Sequence, residues 1–323
     1  MNLKIFILLI VCIFFVGKMR LISQDCPITI TVPDDMVFCN PQDVILDGSI
    51  IGDYLEFNWS GTNGFYDEMD LTPTSYTTNT TTYILSVKGV SPDNLIYNGD
   101  FELGNTGFNS NYGLGTPSTT CPSGAQFYGI LGCEGYYAIG DDSGDFHLNW
   151  SHCMDHTTGS GNMMVINGAQ NLQQVWCQTI NIDPNEEYVF QAFATSVHSS
   201  SPAKLQFSID GVLVGSILQL TSNTCQWDEF YAIWSSGTQT SIEVCITNQN
   251  TAASGNDFAI DDISFSKVCE VVDSFTVVVS NFDVDIPGQF TLDCNNPEAI
   301  LTASVTPSLG IYSYEWGATD GNI

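Results

Sequence analysis

The segment between residues 141 and 156 concentrates side chains that bind metals or hydrogen-bond polar ligands. It contains three of the four histidines of the chain, with a cysteine and several carboxylates: Asp141, Asp142, Asp145, His147, His152, Cys153, Asp155 and His156. Histidine and thiolate groups are zinc ligands, but the spacing here matches no zinc motif. The alternatives are a rigid acidic loop and a ligand-contacting loop in which Asp155 and His156 hydrogen-bond the hydroxyl groups of a ligand.

Aromatic side chains provide a second kind of chemistry. Recognition of a sugar ring needs an exposed aromatic face for stacking, with amide and carboxylate groups for the hydroxyls. Tyr112 and Trp150 have polar Gly, Asn and Ser neighbours, so both are predicted to be exposed stacking platforms. The other aromatic residues of this region are expected to be mostly core: Tyr128, Tyr136, Tyr137, Trp176, Trp227, Tyr231 and Trp234. Amide groups follow at Gln170, Asn171, Gln173, Gln174 and Gln178.

Motifs of catalysis are missing from the sequence. It has no G-x-S-x-G nucleophile elbow, no H-E-x-x-H and no P-loop. Glycoside hydrolysis needs two carboxylates about 5 to 9 Å apart, and among 36 acidic residues some pair will always be available. The sequence therefore favours binding over catalysis, and no catalytic residue is assigned.

The first 24 residues have the pattern of a signal peptide. Lys4 precedes an apolar run from Ile5 to Val16, and polar residues follow it. Because the run is shorter than the ~20 residues of a membrane-spanning helix, we interpret it as a signal for secretion, with an uncleaved anchor as the alternative. We expect a secreted or extracellular protein without membrane insertion.

Secretion changes how the cysteines are interpreted, because thiols oxidise outside the cytosol. Eleven cysteines are present, and Cys12 lies in the signal peptide. The even number that remains favours disulfides. Cys26 with Cys39 across a turn and Cys121 with Cys133 around a short loop are the two pairings that local geometry suggests.

The charge balance is strongly acidic. The chain has 36 acidic residues against six basic ones and a net charge of −30. Beyond residue 24 only Lys88, Lys204 and Lys267 are basic. Such a surface repels phosphate backbones and anionic lipids, so nucleic acid and membrane surfaces are excluded as partners. The acidity either keeps a secreted protein hydrated or supplies carboxylates for calcium.

Alternation of apolar and polar residues predicts an all-β protein made of antiparallel β-sandwiches. Strands are predicted around residues 83–87, 188–193, 240–246 and 275–279. Asp210-Gly211 is a turn sequence that suits positive φ angles, and it predicts a hairpin between 204–209 and 212–214. No convincing amphipathic helix follows the signal peptide.

An internal repeat divides the chain. Cys39 precedes Trp59 by 20 residues and Cys294 precedes Trp316 by 22, within similar flanking sequences. Each copy resembles an immunoglobulin-like or polycystic-kidney-disease-type domain. We predict a domain at 25–91 and the start of a second at 269–323, where the chain would be the N-terminal part of a longer protein.

The middle of the chain, residues 92–268, has two distinctive ends. Asn94 to Glu102 has the form N-L-(x)2-N-G-D-F-E, and Ala259 to Phe265 reads A-I-D-D-I-S-F. These motifs resemble the family 4, 9 and 22 group of jelly-roll carbohydrate-binding modules, which occur beside immunoglobulin-like domains in large secreted proteins of Bacteroidetes. The resemblance covers roughly half of the chain.

The resemblance implies a structural calcium site in which Glu102 and Asp261 bind one ion together with backbone carbonyls. Calcium takes about six to eight oxygen ligands. Alternation along the closing strand predicts that Asp261 shares a face with Ile263, where a carboxylate without a partner is costly. Asp100 and Asp257 are further candidate ligands. The alternative is that these are turn carboxylates at strand ends.

The sequence thus predicts a calcium-stabilised, non-catalytic protein that adheres to a polysaccharide or glycan at the cell surface or outside the cell. Other copies of the chain or surface proteins are further candidate partners. Two alternatives remain: a structural spacer of a surface adhesin or filament, and the accessory region of a secreted polysaccharide hydrolase.

Overall fold

The computed structural model describes residues 26–38, 40–121 and 124–279, with two further strands at 283–285 and 304–306. The predicted signal peptide, Cys39 and most of the predicted second repeat lie outside the described residues. The strands are β1 (Thr29–Thr31), β2 (Met36–Phe38), β3 (Gln42–Ile45), β4 (Ser49–Ile51), β5 (Glu56–Gly61), β6 (Tyr66–Asp67), β7 (Thr74–Thr77), β8 (Thr81–Val90), β9 (Gly113–Leu114), β10 (Tyr136–Gly140), β11 (Met163–Asn167), β12 (Gln173–Asn181), β13 (Glu187–Ser196), β14 (Lys204–Ile209), β15 (Val212–Gln219), β16 (Asp228–Ser235), β17 (Ser241–Asn248), β18 (Phe258–Val279), β19 (Asp283–Asp285) and β20 (Ser304–Thr306).

The protein is all-β and built of antiparallel β-sandwiches, as the alternation predicts. In the described residues the helical segments are two short 3-10 turns, Ala125–Tyr128 and Ser143–Asp145. None of the described helices is long and apolar enough to cross a membrane. The predicted hairpin is confirmed, because β14 and β15 pair across Asp210 and Gly211, whose φ angles are 47° and 78°.

The chain divides into two compact units. Among the described residues, the small unit contains 28–87, without Cys39, together with 271–279. Its core includes Trp59, Tyr83 and Phe275, and the Phe275 ring lies 6.2 Å from that of Trp59 and 5.6 Å from that of Tyr83. Residues 271–279 therefore complete the small unit, whereas the sequence analysis assigned them to a following domain.

The described residues of the large unit are 26–27, 88–121 and 124–270, and they form two sheets. The first sheet has the order β9-β10-β11-β18-β13-β16, and the second has the order β12-β17-β14-β15. Their inner faces meet in an aromatic core, where the rings of Phe190 and Phe207 stack at 3.9 Å and those of Phe207 and Phe230 at 4.3 Å. Trp176 is fully buried in this core, as predicted.

A second, smaller core lies on the outer face of the first sheet. Residues between β9 and β11 fold over that face, and Leu131, Trp150 and Cys153 pack there against Ala138 and Val165. Packing on both faces explains why β11 is apolar at nearly every position and does not alternate. The small core is what positions the loops described below.

Four disulfides tie the large unit together: Cys26–Cys269, Cys121–Cys133, Cys153–Cys225 and Cys177–Cys245. The predicted pairing of Cys121 with Cys133 is confirmed. The predicted pairing of Cys26 with Cys39 is wrong, because Cys26 bonds to Cys269, 243 residues away in the sequence. Spatial proximity of the two ends of the unit, rather than a local turn, selects this partner.

Candidate functional site

The two predicted stacking platforms are buried. Trp150 is 6% exposed and Tyr112 is 4% exposed. Trp150 donates its indole N–H to Asp257 Oδ2 at 3.1 Å and stacks on His147 at 4.6 Å. The Tyr112 hydroxyl accepts a hydrogen bond from the Ala169 N–H at 3.2 Å. The predicted exposure of both rings is wrong, because the segments that carry them fold inward onto a core.

The acidic loop, residues 155–162, is held together by carboxylates that accept backbone hydrogen bonds. Asp155 accepts from the N–H groups of Thr158 at 2.7 Å and Gly161 at 2.8 Å. Glu102 Oε1 accepts from the Asn162 N–H at 2.6 Å, so the opening motif of the unit contacts the loop. These bonds lower the pKa of Asp155, although its burial acts in the opposite direction. Asp155 therefore shapes this loop.

Asp261 joins the same loop from the closing strand. It is fully buried, and its Oδ2 accepts the His156 N–H at 2.9 Å. Burial, with the neighbouring charge of Asp262, raises the pKa of Asp261 to about 7. The chain thus brings Glu102, Asp155 and Asp261, which come from three distant segments, to one loop.

The predicted face of Asp261 is wrong. Asp262 has a positive φ angle of 48°, and the pairing of β18 with β13 shifts register there. This bulge places both Ile260 and Ile263 in the core and turns Asp261 to the outer face, opposite Phe193. Asp261 is buried because the acidic loop covers it.

Two carboxylates lie close to the backbone of Gly161 in the acidic loop. A Cβ atom built on Gly161 would lie 2.1 Å from Glu102 Oε1 and 3.1 Å from Asp155 Oδ2, so both oxygens face the backbone of this glycine. The described hydrogen bonds of Asp261 come from N–H and O–H donors of the acidic loop and its own strand, with no lysine among them. Calcium prefers carboxylate oxygens, but Glu102, Asp155 and Asp261 are not among the groups of described residues whose candidate ligand atoms all lie within 4.8 Å of one another.

Asp100 and Asp257 form their hydrogen bonds elsewhere. Asp100 is exposed and accepts from the Glu102 N–H at 3.3 Å, as a turn carboxylate does. Asp257 accepts from Trp150 and from the Gly168 N–H at 3.3 Å. Burial raises the pKa of Asp257 to about 6.

His156 is packed into the surface rather than extended toward solvent. Its Nδ1 lies 2.6 Å from Asp262 Oδ2, and its ring stacks on Phe193 at 3.8 Å. The ring also meets Trp227 edge-on at 5.6 Å. Through these contacts, His156 holds the acidic loop against the sheet.

Cys153 forms a disulfide with Cys225, so its thiolate is not available as a zinc ligand. Asp142, Asp145 and His152 remain as a surface group whose candidate ligand atoms lie within 4.8 Å of one another. His152 Nδ1 lies 2.7 Å from Asp142 Oδ2, and this hydrogen bond raises the pKa of His152.

The amide pocket is a polar cavity of about 340 Å³ in the large unit. It is lined by residues from β9, from the start of β10, and from the segment that joins β11 to β12: Asn111, Gly113, Glu134, Gly135, Tyr136, Ala169, Gln170, Asn171 and Gln173. Asn111 is fixed beside β12, since its N–H donates to the Gln174 carbonyl at 3.1 Å. The hydrogen bond from the Ala169 N–H to the Tyr112 hydroxyl connects the segment before β12 to the segment at β9.

Tyr136 is the aromatic wall of the amide pocket. It is half-buried and lies against Gly113, where a Cβ atom would approach Tyr136 Cε1 to 2.5 Å. Because Gly113 has no side chain, the ring can lie flat against the backbone of β9. One aromatic side chain and four amide side chains thus surround the same space.

Glu134 is the carboxylate of the amide pocket. Its Oε2 atom is buried and has no hydrogen-bond partner among the described residues. Burial and the nearby charge of Asp257 raise the pKa of Glu134 to about 7. Sequence reasoning missed Glu134, although it noted Tyr136 and the amides at 170, 171 and 173.

Sequence comparison with protein-family models finds no match, and comparison with curated proteins finds none either. Comparison with solved structures finds similarity to the CBM22-1 xylan-binding domain from Paenibacillus barcinonensis Xyn10C, with 13% identity, 52% of this chain and 91% of that chain covered, and a TM-score of 0.34. A TmCBM61 structure in complex with beta-1,4-galactotriose has 11% identity, 54% and 99% coverage, and a TM-score of 0.34. The EclA C-terminal domain, described as a sugar-binding protein, has 19% identity, 28% and 66% coverage, and a TM-score of 0.27. These scores carry no conclusion about function.

Proposed function

We propose that the chain is a secreted or cell-surface, non-catalytic protein that adheres to glycans, and that the amide pocket is its binding site. The observation that carries this proposal is the composition of the pocket. It combines one aromatic wall, Tyr136, with four amide side chains and a carboxylate oxygen that has no hydrogen-bond donor among the described residues. A sugar offers a C–H face to an aromatic ring and hydroxyl groups to such polar atoms.

The size of the pocket also supports this proposal. A cavity of about 340 Å³ is at the lower end of the range of ligand sites in proteins. It suits one or two sugar units better than a long chain. Binding at such a shallow site is weak, and repeated modules or copies would strengthen it by avidity.

The second part of the proposal is a structural calcium ion held by Glu102, Asp155 and Asp261. All three carboxylates accept hydrogen bonds from the backbone of the acidic loop, and burial of the Asp261 carboxylate is costly unless a cation neutralises it. A bound calcium ion would supply positive charge and further coordination to the loop. Glu102 and Asp261 would then fasten the first and last segments of the large unit together.

Secretion is supported by the four disulfides, since such bonds persist in oxidising compartments. The signal-peptide pattern of residues 1–24 agrees with this interpretation. The acidic surface favours neutral or basic partners.

Neutral oligosaccharides on a glycan array, followed by calorimetry of the best ligand, test the proposal. Tyr136→Ala should weaken binding about tenfold, because it removes the stacking face. Tyr231→Ala is the matched control, since Tyr231 is 56% exposed on the outer face of β16 and is not among the residues that line the pocket. Binding to none of the glycans would contradict the proposal and favour the structural-spacer alternative, and equal effects of the two substitutions would place the site elsewhere.

A further inference from the structure

Glu134 is the one charged side chain among the residues that line the amide pocket. The other polar lining groups are neutral amides and the Tyr136 phenol. Glu134 can accept hydrogen bonds from sugar hydroxyls, as the amides can, but among the lining residues it alone can also form an ion pair with a cationic group. The presence of Glu134 therefore points to a property of the ligand beyond its hydroxyl groups.

Glu134 Oε2 is a buried acceptor with no hydrogen-bond donor among the described residues. Leaving a buried acceptor without a donor costs free energy that a ligand donor would recover.

The electrostatic surroundings of Glu134 are negative. The charge that acts on it most directly is that of Asp257, which further disfavours a second negative charge. No lysine lines the pocket, and the described chain contains no arginine. An acidic sugar such as a uronate would enter this field unpaired, whereas an ammonium group would neutralise it and donate up to about three hydrogen bonds.

We propose that the amide pocket selects glycans with a free amine, such as glucosamine units, over N-acetylated, neutral and acidic glycans. The inference rests on the proposed function and assigns its substrate class. Glu134 forms the ion pair with the ammonium group, while Tyr136 and the amides bind the rest of the sugar. A charge-assisted hydrogen bond in a partly enclosed site gives a preference of about tenfold.

Calorimetry at pH 7 with four disaccharides tests this inference on the whole chain: a glucosamine dimer, its N-acetylated counterpart, a glucose dimer and a dimer that contains glucuronate. The variants are Glu134→Gln and, as a matched control, Asp145→Asn. Asp145 is exposed and carries the same charge outside the pocket. The control separates binding at Glu134 from attraction of an amine to an acidic protein.

We expect the glucosamine dimer to bind about tenfold more tightly than the N-acetylated and glucose dimers, and the glucuronate dimer to bind most weakly. Glu134→Gln should reduce the ratio of the affinities for the glucosamine and glucose dimers to about one, while Asp145→Asn should preserve that ratio. A preference that survives in Glu134→Gln, or equal binding of the amine and N-acetyl sugars, overturns the inference but leaves the proposed function intact. Binding of none of the four sugars overturns both.

Discussion

The acidic loop and the amide pocket both contain carboxylates that are withdrawn from water, but the two regions treat them in opposite ways. In the acidic loop, the buried Asp155 accepts short backbone hydrogen bonds. In the amide pocket, Glu134 Oε2 has no donor among the described residues. A carboxylate surrounded by the donors of its own chain fixes a loop, whereas one without donors is available to a ligand.

Asp261 lies between these two cases. It accepts backbone hydrogen bonds, yet its complete burial raises its pKa to about 7. Backbone donors alone therefore do not compensate for its burial, which is the physical reason to propose a metal cation at the acidic loop. We therefore expect the acidic loop to contribute to stability and the amide pocket to ligand recognition.

The largest expected effect comes from the disulfide that anchors the acidic loop. Replacing Cys153 and Cys225 together by serine removes a bond that closes a separation of 72 residues. Lost restriction of the unfolded chain should lower the free energy of unfolding by about 4 kcal/mol. Chemical denaturation of the variant measures this loss, and an unchanged midpoint would show that the acidic loop is held by other contacts alone.

Calcium removal should affect the acidic loop next most strongly. Calcium at about a hundred times its dissociation constant should stabilise the wild-type chain by about 2.7 kcal/mol, and a chelator should reverse this gain. Asp261→Asn should abolish the calcium-dependent rise in Tm, whereas Asp100→Asn, in an exposed turn, should retain it. A rise that persists in Asp261→Asn would refute the proposed ligand set.

A smaller effect is expected from the glycine behind the aromatic wall of the pocket. Gly113→Ala places a Cβ atom 2.5 Å from Tyr136 Cε1, so the ring must shift. We expect a loss of about 1 kcal/mol in binding of neutral oligosaccharides, with the response of Tm to calcium unchanged. Calorimetry and thermal unfolding separate the two regions here, and a changed calcium response would argue against their independence.

The smallest effect concerns pH and Glu134. Its pKa rises from 4.5 to about 7 on folding, so the unfolded chain loses this proton at lower pH than the folded chain. Below pH 4.5 Glu134 is protonated in both the folded and the unfolded chain, and its contribution to stability is fully present. Between pH 4.5 and 7 the unfolded chain ionises first, so the free energy of unfolding decreases.

Glu134→Gln should therefore raise the free energy of unfolding at pH 8 by less than about 1 kcal/mol, since solvent screens this half-buried group. At pH 4 it should have no effect on stability. Denaturation of both proteins at the two pH values measures the difference, and a gain at pH 4 as large as that at pH 8 would contradict the assigned cause.

Local pattern predicted the strands well, because alternation and the Asp210-Gly211 turn are properties of neighbouring residues. It failed where distant segments decide the environment. Trp150 has polar neighbours in sequence and is nevertheless buried, since its segment covers the outer face of a sheet. Likewise, alternation could not anticipate the bulge at Asp262 that reverses the face of Asp261.

The acidic loop and the amide pocket also differ in how much of each could be predicted from the sequence. Glu102 and Asp261 were predicted through motifs at the two ends of the unit, and the fold brings both to the acidic loop. Glu134 has no motif around it, and the amide pocket assembles from segments near residues 111, 134 and 170. Only the paths of those segments reveal that a carboxylate and the amides share one cavity.

The most direct test of the central claim is to locate the bound sugar by nuclear magnetic resonance. Titration of a glucosamine-containing disaccharide into the isotopically labelled chain should shift the side-chain amide signals of Asn111, Gln170 and Gln173, as these groups line the pocket. Signals of the acidic loop should stay unchanged. Shifts confined to the outer face around Tyr231, or to the acidic loop, would contradict the account.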